Sequence, residues 1–351
     1  MSWLGRGTLV VRPGYFHEFR KVFGRCLLAS QSENAGIAAE EQFSPAQSET
    51  IRPRFGWLKD RQLATLFLFP TLGLLIFMNV FPLVWSLYLS FTDYRDSKGI
   101  EWTDANWIGL ENYQKVLTDA RIWERFTISG YFVLPAVLVE FVLGFGIALL
   151  LNQAFRGRGV ITTIILIPMM LSPIVVAFFW RFMFQADIGI VNYFIVEVFN
   201  LDPVLWLTKT KEARIALVLV DTWQWTPFIM LISLAGLAAV PKYLYEAADV
   251  DRATEWFKFR HITLPMVSPL LIIAVLFRLM DTYKLFDLAW ILTKGGGPGH
   301  TTQVLPVYLY KRAFTNHYTG EAAATGYIML VVIIALANLL IRFINQEQAE
   351  G

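Results

Sequence analysis

The sequence predicts an all-α polytopic membrane protein with six transmembrane helices. Three observations carry this. Hydrophobic residues make up 56% of the 351 residues and charged ones only 17%, where soluble domains average about 25% charged. Mean hydropathy is +0.49. The apolar residues gather into six nearly charge-free runs, each close to the roughly 20 residues that a helix needs to cross a hydrocarbon core of about 30 Å. The same composition excludes a disordered chain. A net charge of +2 gives no basic face for nucleic acid. One cysteine, Cys26, allows neither an intrachain disulfide nor a cysteine-built metal site, and none of the four histidines sits in a metal-spaced pair.

Taken in order, the spans are expected near 63–90, 127–151, 160–184, 215–238, 264–284 and 323–343. No charge lies between Arg61 and Asp93, one (Glu140) between Arg125 and Arg156, none from Gly159 to Trp180, one (Asp221) between Arg214 and Lys242, no formal charge from His261 to Phe277, and none between Glu321 and Arg342. Seven internal prolines, among them Pro168, Pro173 and Pro227, do not defeat the reading, because neighbouring helices satisfy the freed carbonyls. Arg52, Arg54, Lys59 and Arg61 crowd the start of the first span, and the short loop 152–159 carries Arg156 and Arg158 with no acid. Loop 91–126 has five bases against seven acids. The positive-inside rule therefore places both termini in the cytoplasm, with 152–159 and 239–263 inside and 91–126, 185–214 and 285–322 outside. Residues 1–60 form a separate cytoplasmic tail in which Phe16, Phe19, Phe23 and Leu27 fall at helical spacing among Arg20, Lys21 and Arg25, the pattern of an amphipathic surface helix. A second cytoplasmic tail, 346–351, follows the membrane domain at 61–345.

The loop between the fourth and fifth spans, 241–265, is the informative one. It runs Glu246-Ala247-Ala248-Asp249-Val250-Asp251-Arg252-Ala253 and ends Ile262-Thr263-Leu264-Pro265. Tyr243, Ala247, Val250 and Ala253 recur three to four apart, which gives a short helix one face to bury. Small residues at 247 and 248, flanked by charge, suit a helix seated in a groove of another protein.

At these residues the chain resembles the permease subunits of binding-protein-dependent ABC importers, whose signature is Glu-Ala-Ala-x-x-Asp-Gly-Ala followed by Ile-x-Leu-Pro. Glu246, Ala247, Ala248, Asp251 and Ala253 match; Arg252 stands where the family has glycine. Arginine does not take a positive φ cheaply, so the expectation is that the turn tightens elsewhere or that Arg252 points at the partner. Leu292-Thr293-Lys294-Gly295-Gly296-Gly297-Pro298-Gly299-His300-Thr301-Thr302, then Tyr308, Tyr310, Gly320 and Ala322-Ala323-Ala324, resemble the outward loop and last helix of the sugar-importer class, specifically the maltose-permease F-type half. Gly189 to Asn192, Trp206-Leu207 and Gly109 to Tyr113 also fit that class.

The resemblance implies a transmembrane subunit of an ATP-driven importer that moves a sugar, or a related polyol or sugar phosphate, by alternating access. It implies a second homologous permease, two ABC ATPase subunits, an extracytoplasmic solute-binding protein, membrane lipid around the spans, and a bacterial inner-membrane location. No catalytic residue, metal or cofactor belongs to this chain: the glycine run lacks the Lys-Ser/Thr of a phosphate-binding loop, so ATP and magnesium would sit on the ATPase subunits. The coupling surface would be Glu246, Ala247, Ala248, Asp251, Arg252 and Ala253.

Ionisable groups at bilayer depth cost about 2.5–3.5 kcal/mol each, so Glu140, Arg181, Asp221, Arg278, Asp281, Lys284 and Asp287 each need a reason. Arg278, Asp281 and Lys284 are three apart on one side of the fifth span. One reading puts Asp281, Thr282, Lys284 and Asp287 on a wet path with Trp223, Gln224 and Trp225, a mixture of polar groups and aromatic platforms that suits sugars. The other has the long cations snorkelling and the tryptophans in the interface belt. The rival function is a secondary transporter driven by an ion gradient, which carries internal repeats with broken helices and a midplane acid.

Overall fold

The computed structural model describes residues 60–96 and 102–350, so the amphipathic pattern of 16–27 lies outside the described residues. The chain divides into two units, Met1–Leu72 and Gly73–Gly351. Of the first, only the start of a helix, α1 (Asp60–Leu75), is described. The helical run continues through a π-helical stretch (Ile76–Val80) into α2 (Phe81–Ser90), and together they make an apolar span, Thr65–Ser90.

The second unit holds the remaining helices. After α3 (Glu111–Thr118) come α4 (Ala120–Leu151), α5 (Arg158–Met170), α6 (Pro173–Met183), α7 (Ile190–Glu197), α8 (Thr210–Ala239), α9 (Lys242–Val250), α10 (Glu255–Lys258), α11 (Leu264–Tyr283), α12 (Asp287–Leu292), α13 (Leu305–Tyr310) and α14 (Thr319–Glu350). Asp119 caps α4 by accepting from the Arg121 amide at 2.9 Å, and the side-chain bond from the Arg121 guanidinium holds its carboxyl below the usual range.

Five of the six expected spans are single apolar helical runs. The third is not. Where one helix over 160–184 was expected, α5 and α6 meet at a 96° bend. The cause is local. Pro173 disfavours the α region at the residue before it, Ser172 is extended at ψ 135°, and Pro173 becomes the first residue of α6, where its missing N–H costs nothing.

The most extensive packing is α4 against α8. Gly144 makes it possible, since a Cβ there would stand 2.7 Å from the Cβ of Ile229. Gly236 plays the same part where α8 meets α11, facing Val267. Small residues at crossings are how membrane helices gain dispersion contact where water supplies no hydrophobic drive. Two apolar clusters result. One includes Phe132, Val137, Ala177, Leu217, Val220, Leu288 and Leu305; the other includes Phe145, Leu151, Met230, Leu237, Val267 and Leu271. Along α4, α8 and α11, Glu140, Asp221 and Arg278 come between the residues of one cluster and those of the other.

Candidate functional site

Arg278 is buried at 2% exposure and uses every nitrogen of its guanidinium. Nε and Nη2 donate to the two oxygens of Glu140 at 2.7 and 2.9 Å, Nη2 also donates to Asp221 Oδ2 at 3.0 Å, and Nη1 donates to Asp281 Oδ2 at 2.9 Å. The Trp225 ring lies 4.8 Å from the guanidinium carbon and adds a cation–π contact. The forked guanidinium suits this bidentate grip. Glu140 is on α4, Asp221 on α8 and Arg278 on α11, so one arginine ties three spans together. The two readings of the sequence treated these charges singly. Three ionisable residues of mixed sign on separate spans were the available signal for the pairing, and spacing along one helix does not reveal it.

The expected path residues divide. Asp281 leaves 57% of its side chain exposed while it holds Arg278, and Lys284 and Asp287 are exposed beyond it. Trp223 is 40% exposed and meets Trp180 edge-on at 5.5 Å. Thr282 is buried. Gln224 does not face open space: it is buried, and its Nε2 donates to the Leu171 carbonyl at 3.2 Å. Leu171 lies in the 96° bend itself, so Gln224 supplies a donor to a carbonyl at the broken ladder.

At the other end of α8, α9 and α10 form the loop that carries the signature. Tyr245 Oη and Thr263 Oγ1 lie 2.8 Å apart. The buried Lys258 amine clasps Asp249 and Glu255, the latter at 2.7 Å. Leu244, Tyr245, Phe259 and Ile262 pack on the second apolar cluster, and Ala248 is buried at 8%. Ala248, expected on the coupling surface, turns inward instead. Tyr243, Ala247 and Val250 (83% exposed) form the open side, with Glu246 and Asp251 exposed beside them. Helical spacing gives α9 two apolar stripes, and the one continuous with the hydrophobic floor below is the one that turns inward.

Arg252 corrects the other expectation. The turn does not tighten elsewhere; Arg252 itself has φ +53°. It occupies the left-handed position of a Schellman motif, in which the Ala253 amide donates to Ala248 O at 2.9 Å and the Arg252 amide to Asp249 O at 3.0 Å. A non-glycine residue there is strained by about 1–2 kcal/mol. Arg252→Gly is therefore expected to raise stability by about 0.5–1 kcal/mol after glycine's own entropic cost of about 0.5–1 kcal/mol, read as a higher melting temperature of the purified chain.

The glycine-rich run forms a positive-φ loop at Gly295, Gly296, Gly297 and Gly299. Two arginines on the long spans hold it by its carbonyls, Arg125 to His300 O at 2.8 Å and Arg214 to Thr301 O at 3.0 Å. Gly320 sits against Leu89 and Asn112, and Asn112 Nδ2 donates to the carbonyls of Ser90 and Thr92 at 2.9 and 2.7 Å. No cluster of metal-ligating side chains occurs among the described residues.

Residues 140–349 match the family described as binding-protein-dependent transport system inner membrane component. A probable ABC transporter permease protein of Sinorhizobium fredii is 36% identical over 275 residues, covering 78% of this chain and 87% of that protein. A trehalose/maltose transport system permease protein of Thermococcus litoralis is 32% identical over 287 residues, covering 82% and 94%. Among solved structures, a bacterial ABC transporter that imports the acidic polysaccharide alginate superposes with a TM-score of 0.70 at 21% identity, over 81% of this chain and 95% of that one; this likeness concerns the fold. The signature loop, the packed spans and these matches agree, and the chain belongs to the inner membrane components of binding-protein-dependent transport systems.

Proposed function

We propose that this chain is the transmembrane subunit of an ATP-driven importer for a sugar or a related solute delivered by a binding protein, with α9 as the surface on which a separate ATPase subunit acts. A second homologous permease completes the path, and both termini lie in the cytoplasm. The observation that carries the reading is the open face of α9. Tyr243, Ala247 and Val250 are exposed apolar side chains on a loop whose other side is fastened by the Lys258 clasp and the Tyr245–Thr263 contact. A short rigid helix of this kind transmits a push instead of absorbing it, which alternating access between two states requires. Relatives that are named for trehalose and maltose transport support the sugar class. Asp281, tied to the buried cluster on one side and open on the other, is the residue best placed to sense solute on the path.

The test is uptake into proteoliposomes that contain the chain with its partner permease, ATPases and binding protein. Uptake is expected only with ATP inside the ATPase compartment and binding protein on the opposite side. Uptake by this chain alone, driven by an imposed proton or sodium gradient, would instead assign it to gradient-driven transport.

A further inference from the structure

Away from the charge cluster and α9, a cavity of about 540 Å3 opens between the C-terminal end of α6, the loop that enters α8, and the glycine-rich loop. Because spans alternate in direction, it lies on the side of the membrane opposite α9. Its volume falls in the range of small-molecule sites, roughly 300–1,000 Å3. Phe184 and Trp206 form an aromatic wall with rings 5.1 Å apart. The wall is fixed from behind by Asn192, whose Oδ1 accepts from Trp206 Nε1 at 3.2 Å and from the Val204 amide at 3.1 Å. Gln185 and Thr208 bring polar groups to the same space.

Two cations line this cavity, Arg181 and Lys294, and no carboxylate does. Among the described residues Arg181 makes one side-chain hydrogen bond, Nη1 to the Ile291 carbonyl at 3.2 Å. Neither cation joins an ion pair among the described residues. The carbonyl end of α6 partly offsets the Arg181 charge, and its remaining guanidinium donors make no further hydrogen bond among the described residues. Lys294 is held in a left-handed conformation at φ +53°, just after α12, where the Gly295 amide donates to Trp290 O at 2.8 Å. A strained backbone that carries a cation into a cavity is where functional strain collects.

We propose that this cavity binds an anionic saccharide, its carboxylate held between Arg181 and Lys294 and the apolar face of its ring against Trp206. The volume favours a saccharide unit over a single acidic side chain of a docked protein, which would leave most of the space empty. Arginine supplies paired donors to the carboxylate and lysine a point charge, while hydroxyls meet Gln185 and Thr208. The site is separate from α9 and from the Arg278 cluster, so its failure would leave the transport reading standing.

The experiment is a titration of the full chain in lipid nanodiscs with digalacturonate and with maltose as the neutral control, read by calorimetry and by tryptophan fluorescence. Digalacturonate is expected to bind saturably and more weakly as salt rises. The Arg181→Gln/Lys294→Gln variant is expected to bind it at least tenfold more weakly, with any maltose signal unchanged. Lys294→Gly removes the charge and relieves the backbone strain, so it is expected to weaken digalacturonate several-fold with an equal or higher melting temperature, which separates loss of the site from loss of fold. The proposal is overturned if digalacturonate does not bind, if its affinity is the same in the double variant, or if the substitutions instead abolish docking of the binding protein while the wild type ignores digalacturonate.

Discussion

Arg278→Met is expected to prevent a stable membrane domain from forming, and the triple variant Glu140→Gln/Asp221→Asn/Arg278→Met is expected to recover it. Removing the guanidinium leaves Glu140 and Asp221, both with 0% side-chain exposure, facing each other at membrane depth with no counter-charge. Breaking a buried ion pair from one side costs about 3–5 kcal/mol, whereas replacing the whole set with neutral groups of similar volume is often harmless. The cost falls where α4, α8 and α11 meet, so local relaxation cannot relieve it. Asp281→Ala, by contrast, removes an arm that is more than half exposed and leaves the Glu140 and Asp221 bonds in place; stability is expected to change by less than about 1 kcal/mol. Yield of monodisperse protein and melting temperature in detergent distinguish the three variants. Equal yields of Arg278→Met and wild type would show that the three spans do not depend on the cluster.

Ala247→Trp and Glu246→Lys are each expected to abolish transport while the chain still inserts and purifies normally. Both positions are exposed on α9. An indole at 247 would hold a docked groove away from Tyr243 and Val250, and a lysine at 246 would reverse the charge offered to the ATPase. A buried interfacial charge pair that loses one partner costs about 2–5 kcal/mol or more, which is roughly 30-fold in retention at the lower end. Ala248→Trp belongs to a different class. Ala248 packs inward, so that substitution is expected to lower yield and stability before any contact with a partner is tested. Co-purification of the ATPase subunit and uptake assays read the first pair; thermal stability reads the third.

The spans were legible because a bilayer imposes a length and a charge penalty that a sequence displays directly. Five of them are single apolar runs near the places that the charge-free stretches indicate. The bend at Leu171–Ser172 was less visible: Pro168 and Pro173 are both compatible with a continuous span, and whether one breaks it depends on the backbone of the residue before it and on a donor such as Gln224 from a neighbouring helix. The loop signature at Glu246 was readable, but its inward face was not, since α9 has one stripe through Tyr243, Ala247 and Val250 and another through Leu244 and Ala248. Only the hydrophobic floor formed by Phe145, Leu237 and Leu271 decides between them. The Arg278 cluster joins residues 57 and 138 positions apart, and no local periodicity encodes such a pairing. The strain at Arg252 illustrates the same limit, because the Schellman hydrogen bonds fix the left-handed position on the residue that stands there, whatever its side chain prefers.

On the proposed reading, α9 presents the Tyr243–Ala247–Val250 face to an ATPase subunit and keeps Ala248 for its own domain. Single cysteines at 247 and at 248, introduced into a Cys26→Ser background and challenged with a short bifunctional thiol cross-linker in the assembled importer, test it directly. A cross-link to the ATPase subunit that ATP strengthens or weakens is expected from Ala247→Cys, and none from Ala248→Cys. A cross-link from 248 as strong as that from 247, or none from 247 in an importer that still transports, would contradict it.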